Sequence, residues 1–406
     1  QLNRPEFMTE HWEFGANSIY GFTLYGGNDV PTFEYAFYDA EKALLAEDSS
    51  PSNEGNRAPN YKRGDQKTFN HLAISLKANK GNEVAAKAGR FYRRGVLRMD
   101  VDGLGWQFSE GIKKKNYQFY NLPTYAALSR NLDTFFVGFL NTIWKNGEWS
   151  SQFSENSKTN SDSQNPPAKT TSQLKHLSQI IYSGGDDLFI VGRWDACLYF
   201  AKQINHYFKK WTGQDQLEKE QKPRLSISGG LAMLTAKFPI IKGAEFAADA
   251  EKAAKDYKIG QLEKNAFTLW KPLNWDWEYP QVEVLKNRIE HFMQLDKYRS
   301  IFHRILSFYK LKTVLEEEEQ RNKSTAQTNG KSTLRWKWLL AYNLSRSIQD
   351  YQRKDRPFAD FLREIQTDVF ANTWQHNKTI SSNKEYFDLL QIAIRWADFE
   401  YRTYKN

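Results

Sequence analysis

Hydrophobic and polar positions follow two rhythms along this chain, and the change from one to the other divides it. Val96 to Val101 (VLRMDV) is a short apolar run of strand length. Between Leu128 and Trp144 the apolar residues Leu132, Phe135, Phe136, Phe139, Leu140 and Ile143 recur at helical spacing. Leu177 to Tyr182 and Leu188 to Val191 are apolar runs separated by Ser183-Gly184-Gly185-Asp186-Asp187, which predicts a hairpin. Asp195 is placed to cap a helix running to about Trp211, Leu225 to Leu231 predicts a strand, Ala244 to Lys258 an alanine-rich helix and Asn265 to Leu269 a last strand. The order β, α, β-hairpin, α, β, α, β is the ferredoxin-like arrangement with an added tail, an antiparallel sheet carrying helices on one face.

Beyond Trp277 the helical period takes over. Ile289–Phe292–Leu295, Ile301–Ile305–Phe308 and Phe387–Leu390–Ile394 each mark a helix face, and Trp336 to Leu344 reads as helix too. This predicts four or five helices packed as a bundle, their aromatic stripes serving as core. Before Arg94 the pattern is mixed: Tyr20 to Tyr25 predicts a strand and Phe69 to Leu76 the start of a helix. Stretches around Glu47–Asn60, Ser150–Gln173 and Glu316–Thr333 are poor in apolar residues and predict mobile loops. The expected fold is α+β, with an N-terminal mixed segment over 1–94, a ferredoxin-like domain over 95–277 and an α-helical domain over 278–406.

Composition narrows the chemistry. With 406 residues the chain can bury more than one core. A net charge of +9 fits a phosphate-bearing partner such as RNA or a nucleotide. A single cysteine, Cys197, excludes an internal disulfide or a cysteine-rich zinc site, sits in an apolar helical stretch as a core residue, and fits a reducing cytoplasm. No apolar run is long enough to span a bilayer, and no signal peptide opens the chain, so a cytoplasmic location without membrane contact is expected. The first residue is Gln1, which suggests a piece of something longer.

Two acidic motifs stand out. Gly184-Gly185-Asp186-Asp187 puts two carboxylates at the tip of an apolar hairpin, where they are costly without a cation; alone, it reads equally as a solvated turn. Asp100-Val101-Asp102 ends a predicted strand, and residues two apart in a strand face the same side, so Asp100 and Asp102 can point at one place. Alone, that motif is an ordinary acidic strand end. If the two segments are neighbours in a ferredoxin-like sheet, three or four carboxylates gather at one edge. Such a cluster is the hard-oxygen site that Mg²⁺ or Mn²⁺ requires, and two such ions can carry phosphoryl transfer without a covalent intermediate.

The runs GVLRMDVDGLGWQFSEGI (95–112), IIYSGGDDLFIVGRWDACLYFAKQI (180–204), LSISGGLAM (225–233) and AEFAADAEKAAK (244–255) together resemble the large subunit of type III CRISPR–Cas effector complexes, the Cas ten family. They are more distantly similar to GGDEF nucleotide cyclases and family B polymerase palms. The resemblance covers about Gly95 to Trp270 and implies a polymerase-type palm, the second of the family's two. It implies Asp100, Asp186 and Asp187 as catalytic metal ligands, with the Val101 carbonyl as a further contact. Ser183, Gly184 and Gly185 would lie against the nucleotide and Lys255 would hold its triphosphate. It further implies two Mg²⁺ or Mn²⁺ ions, ATP as substrate and cyclic oligoadenylate as product. Implied partners are the other subunits of a crRNA-containing effector complex, target RNA, and a first palm and HD nuclease portion located elsewhere.

The chain departs from that pattern in places. None of its seven histidines is followed by Asp, so the family's HD nuclease motif is missing, and one cysteine cannot supply its zinc site. Gly103 stands where the family often has Asn. Gly26-Gly27-Asn28-Asp29 precedes the palm and is read as a decoy, and His206, His291 and His303 as ordinary helix or interface residues. A competing expectation is a catalytically inert ribonucleoprotein scaffold binding crRNA, target RNA and neighbouring subunits. In that case basic segments such as Arg335–Lys337 and Arg353–Arg356 contact phosphates. A diguanylate cyclase is a third reading, though Leu188 follows Asp187 in place of the Glu-Phe of that family.

Overall fold

The computed structural model describes residues 10–14, 17–21, 30–33, 62–73, 93–111, 122–149, 172–213, 225–259, 262–270, 273–276, 280–325, 334–371 and 385–404. They fall into two compact units, Gln1–Trp277 with Arg402–Asn406, and Glu278–Tyr401.

The first unit is built on a six-stranded sheet. Its strands are β1 (Arg93–Asp102), β2 (Ser178–Gly184), β3 (Asp187–Arg193), β4 (Ser226–Thr235), β5 (Ala266–Trp270) and β6 (Leu273–Asp276), in the order β6-β5-β4-β1-β3-β2. Four consecutive strands, β4-β1-β3-β2, are antiparallel and have the ferredoxin-like order. β5 joins β4 in parallel, so the sheet is mixed. The connection from β1 to β2 includes α1, a helical segment of Leu122–Asp133, a π-helical Thr134–Phe139 and Leu140–Asn146. α2 (Trp194–Thr212) follows β3, and α3 (Ile240–Lys255) crosses from β4 to β5.

The glycines of the sheet show which face each helix covers. A Cβ on Gly95 of β1 would lie 2.9 Å from the Trp194 Cα and 3.1 Å from the Cys197 Cβ, so that face lies against α2. Phe135 of α1 packs edge-on against Phe208 of α2, with ring centres 5.3 Å apart. A Cβ on Gly230 of β4 would lie 2.2 Å from the Glu251 nitrogen, so the opposite face lies against α3. Here the structure departs from the expectation of helices on one face. The β4–α3–β5 crossover joins parallel strands and must pass over the sheet, and Gly230 is the small residue that lets it lie close.

Other expectations shift in detail. Asp195 is not an N-cap: α2 starts at Trp194, and the Asp195 carboxylate accepts from Arg193 Nε at 2.7 Å and from the Ala196 amide at 2.9 Å. Arg193 is a buried cation, and Asp195 is the anion that allows it to be there. α3 starts at Ile240 and ends at Lys255, not Lys258. The strand expected at Tyr20–Tyr25 appears as Asn17–Gly21, hydrogen-bonded to Glu10–Phe14, while 22–25 lie outside the described residues. Of the helix expected from Phe69, a single 3₁₀ turn, His71–Ala73, is described. The polar stretches at 47–60 and, apart from Ser172–Gln173, at 150–173 lie outside the described residues, as does Gly26–Asp29.

The second unit contains five helices among the described residues: α4 (Pro280–Met293), α5 (Asp296–Thr325), α6 (Arg335–Gln352), α7 (Arg356–Ala371) and most of α8 (Tyr386–Tyr404). Of the loop expected over Glu316–Thr333, the part to Thr325 is helix, the end of α5, and 326–333 lie outside the described residues. Glu, Gln, Arg and Lys are strong helix formers, and ion pairs one turn apart support this stretch, the buried Lys312 with Glu316 and the exposed Arg321 with Glu317. The core is aromatic: Tyr298 and Phe358 are 4.0 Å apart between ring centres, and Phe292 stacks on Phe361 at 5.1 Å. Among the described residues no helix is long and apolar enough to cross a membrane.

Within this unit a buried ionic cluster joins α4 to α8. Lys286 Nζ lies 2.8 Å from Glu290 Oε2 and 2.7 Å from Glu400 Oε2, and Trp396 Nε1 donates to Glu400 Oε1 at 2.6 Å. Burial, followed by the charge of Glu400, raises the Glu290 pKa to about 7, while Lys286 pulls it back. Removing the cation alone, as in Lys286→Met, should destabilise the chain by about 3–5 kcal/mol, because two carboxylates then share an apolar site. The folded state holds the Glu290 proton more tightly than the unfolded chain, so this group's contribution is lost as pH rises through its folded value. Urea midpoints of Glu290→Gln should therefore gain on those of the unaltered chain between about pH 5 and about pH 8.

Candidate functional site

The register of the sheet brings the two acidic motifs together. In β1, Leu97, Met99 and Val101 are buried on the α2 side, while Arg98, Asp100 and Asp102 face the α3 side. Asp100 pairs directly with Asp187 of β3 and with Ser228 of β4. Gly184 and Asp187 close a two-residue turn of Gly185 and Asp186. Gly185 has φ +65°, a conformation L side chains rarely adopt, and a Cβ there would meet nothing within 4 Å. The hairpin tip is fixed to β1 by a 2.9 Å hydrogen bond from the Val101 amide to the Asp186 carbonyl.

Asp100 and Asp187 are thus like charges directly opposite each other, with Cβ atoms about 5 Å apart, a placement that destabilises a sheet unless something compensates. The compensation comes from α3. Lys255 Nζ lies 2.8 Å from Asp100 Oδ2 and 3.2 Å from Glu251 Oε1, and Arg98 Nε lies 3.2 Å from Glu251 Oε2. The four alternate in charge: Arg98, Glu251, Lys255, Asp100. Glu251 and Lys255 are one turn apart on α3, and the close approach at Gly230 brings that turn over β1.

Burial pushes the Asp100 carboxyl above the ordinary carboxylate range. Lys255 acts against that rise, and the charges of Glu251 and Asp186 add to it. Burial works against the charge on Lys255, but Asp100 and Glu251 outweigh it and raise the ammonium's pKa. Tyr182 projects from the hairpin, half exposed. Its hydroxyl donates to the Gly184 carbonyl at 3.3 Å, and a hydrogen bond to Asp187 is the first cause of its raised pKa.

Asp102 shares the face of Asp100 but has other work. It is buried, and its Oδ2 accepts from Ser226 Oγ at 2.8 Å, Ser228 Oγ at 2.6 Å and the Asn265 amide at 3.1 Å. This carboxylate ties β1 and β4 to the turn that leads into β5. Lys264 and Asn265 in that turn have positive φ, at 63° and 50°, which the grip on Asp102 helps to hold.

Among the described residues no three carboxylate, imidazole or thiolate groups stand close enough together to hold a metal ion, and Asp100 takes Lys255 as its counter-charge. The donor set still suits a hard cation: oxygen ligands only, two of them on opposed carboxylates, beside a glycine turn with open space around it. Of the residues singled out from the sequence, Asp100, Val101, Ser183, Gly184, Gly185, Asp186, Asp187 and Lys255 all lie at this end of the sheet. Glu251, Arg98, Tyr182 and the Asp102–Ser226–Ser228 anchor were not foreseen. The Ser-x-Ser-Gly-Gly run of β4 was the available signal, since small polar residues in a central strand imply something packed or bonded against them.

Residues 93–268 match the family model described as Cas10/Cmr2, second palm domain. The "CRISPR system single-strand-specific deoxyribonuclease Cas10/Csm1 (subtype III-A)" of Methanocaldococcus jannaschii is 29% identical over 208 residues, 49% of this chain and 23% of that protein. The protein of the same name from Mycobacterium tuberculosis is 30% identical over 238 residues, 58% of this chain and 26% of that protein. The chain therefore spans about a quarter of the length of these relatives. A crystal structure of a Csm1-Csm4 cassette in complex with cA4 is similar over 81% of this chain and 40% of that chain, at 18% identity and a TM-score of 0.48.

The two acids of β1 should separate by stability. Asp102→Ala leaves two buried hydroxyls and an amide without their acceptor and should cost about 3 kcal/mol. Asp100→Ala removes one member of an opposed like-charge pair and should change stability by less than about 1 kcal/mol. Urea denaturation of the two variants decides this, and equal losses would refute the division.

Proposed function

Residues 93–268 belong to the Cas10/Cmr2 second palm family, and from that premise we propose that this palm joins ATP into cyclic oligoadenylates as part of a type III CRISPR effector complex. One observation carries the proposal. Asp100 and Asp187 are held opposite each other at a sheet end, beside a turn that adds Asp186, and a lysine already sits in the cation's place.

In this reading Asp100, Asp186 and Asp187, with the Val101 carbonyl, hold two Mg²⁺ or Mn²⁺ ions. Bound there, such ions would neutralise a triphosphate and make a ribose 3′-hydroxyl more acidic. The 3′-oxygen of one ATP attacks the α-phosphorus of the next, the bond to the β-phosphate oxygen breaks, and pyrophosphate leaves. Repetition and a final closure within one strand give a ring joined 3′ to 5′.

The chain's own residues bind and orient. Gly184 and Gly185 present backbone without side chains where the turn begins, so the nucleotide can approach it there, and Ser183 adjoins it. Lys255 exchanges Asp100 for the triphosphate, and Glu251 keeps its ammonium aimed at this edge. The remaining subunits, the crRNA and a target RNA supply the context in which the palm is switched on. The deoxyribonuclease activity named for the relatives is no part of this reading, because no histidine of this chain is followed by Asp.

The assembled complex is incubated with radiolabelled ATP, Mg²⁺ and target RNA, with and without Asp186→Ala and Asp187→Ala together. Product formation should fall by at least about 100-fold in the double variant, and chelation of the divalent metal should abolish it. Undiminished cyclic product from the double variant would sink the assignment and leave a scaffold role.

A further inference from the structure

In the helical unit, α6 buries Trp336, Leu340, Leu344, Ser347 and Ile348 and leaves its other face open. On that open face Trp338 is 75% exposed and Tyr342 is 66% exposed. They stand one turn apart, about 6 Å along the helix axis. Two large aromatic rings side by side in water form a contiguous exposed apolar patch, the kind of surface that marks an interaction site.

The cations around them indicate the partner. At 100° per residue Arg335, Arg346 and Arg353 fall on the same side as the aromatic pair, within about 80° of Trp338. All three are exposed, and none has an ion-pair partner among the described residues. From 334 to 354 there are five Lys or Arg residues and one acid, Asp350. A protein covering Trp338 and Tyr342 would have to bring carboxylates for the arginines. A polynucleotide brings a flat base and a phosphate at every step, and a single strand leaves its bases free to stack.

We propose that this face of α6 binds single-stranded nucleic acid, with Trp338 and Tyr342 stacking on bases and Arg335, Arg346 and Arg353 holding phosphates. The surface belongs to the helical unit and uses none of the palm's acids, so it stands or falls apart from the cyclase reading. The basic segments noted in the sequence, Arg335–Lys337 and Arg353–Arg356, lie at the two ends of this helix. The exposed aromatic pair between them turns a charged helix face into a recognition surface.

The test is fluorescence anisotropy of the full chain with labelled oligouridylate and oligothymidylate of about 20 nucleotides, titrated at several salt concentrations. Trp338→Ala and Tyr342→Ala should each weaken binding by about fivefold to a hundredfold. Changing Arg335, Arg346 and Arg353 together to Gln should reduce the slope of log affinity against log salt by about 2. Loss with both probes assigns the face to single strands in general, and loss with oligouridylate alone assigns it to RNA. Unchanged affinity and slope in the variants, or no binding by the unaltered chain, overturns the proposal. So does a set of variants that bind both probes normally but no longer join their protein complex. Urea midpoints equal to that of the unaltered chain confirm that these surface changes leave the fold intact.

Discussion

Two carboxylates facing each other across neighbouring strands are an electrostatic burden, and much of the first unit can be understood as a response to it. Asp100 and Asp187 are fixed in register by the β1–β3 ladder and cannot move apart without unpairing the sheet. The Val101 amide also pins Asp186 to the same corner. Compensation therefore has to come from outside the sheet, and α3 supplies it through Lys255. That helix reaches the acids because Gly230 has no side chain to hold it off. An ammonium is a modest answer to two opposed carboxylates with a third acid in the adjoining turn, and the proposed divalent ions would be a stronger one.

Much of this was legible beforehand, and the parts that were not share a cause. The strand VLRMDV, the hairpin around Gly184–Asp187 and the ferredoxin-like order of the four antiparallel strands follow from apolar period and glycine turns, which act over a few residues. The placement of α3 on the second face does not, because it depends on Gly230 meeting Glu251 across the fold. Asp195 had the residue type of an N-cap, but a buried Arg193 needed its charge more than the helix end did. The run Glu316–Glu319 looked like a loop because it is polar, yet polarity and helix propensity are separate properties, and α5 continues through it.

The same contrast separates the two acids of β1. Asp100 and Asp102 are indistinguishable in the motif, both strand residues on one face. The distinction comes from two serines on another strand and a backbone amide on a distant turn, which occupy Asp102 and leave Asp100 to Lys255. Local sequence fixes where a side chain points; the residues it meets are set by strand pairings well over a hundred positions away.

Placing the anchoring acid Asp102 two residues from Asp100, one of the proposed metal-binding acids, has an evolutionary corollary. A lineage without need of the proposed chemistry could lose the side chain of Asp100, Asp186 or Asp187 and still inherit a folded sheet, since none of the three carboxylates ties β1 to β4. Losing Asp102 would unfasten that seam and expose the descendants to purging for instability rather than for lost activity. Among degenerate copies of such a domain, the Asp102–Ser226–Ser228 trio should outlast the glycine-aspartate turn, a fossil of the architecture alone.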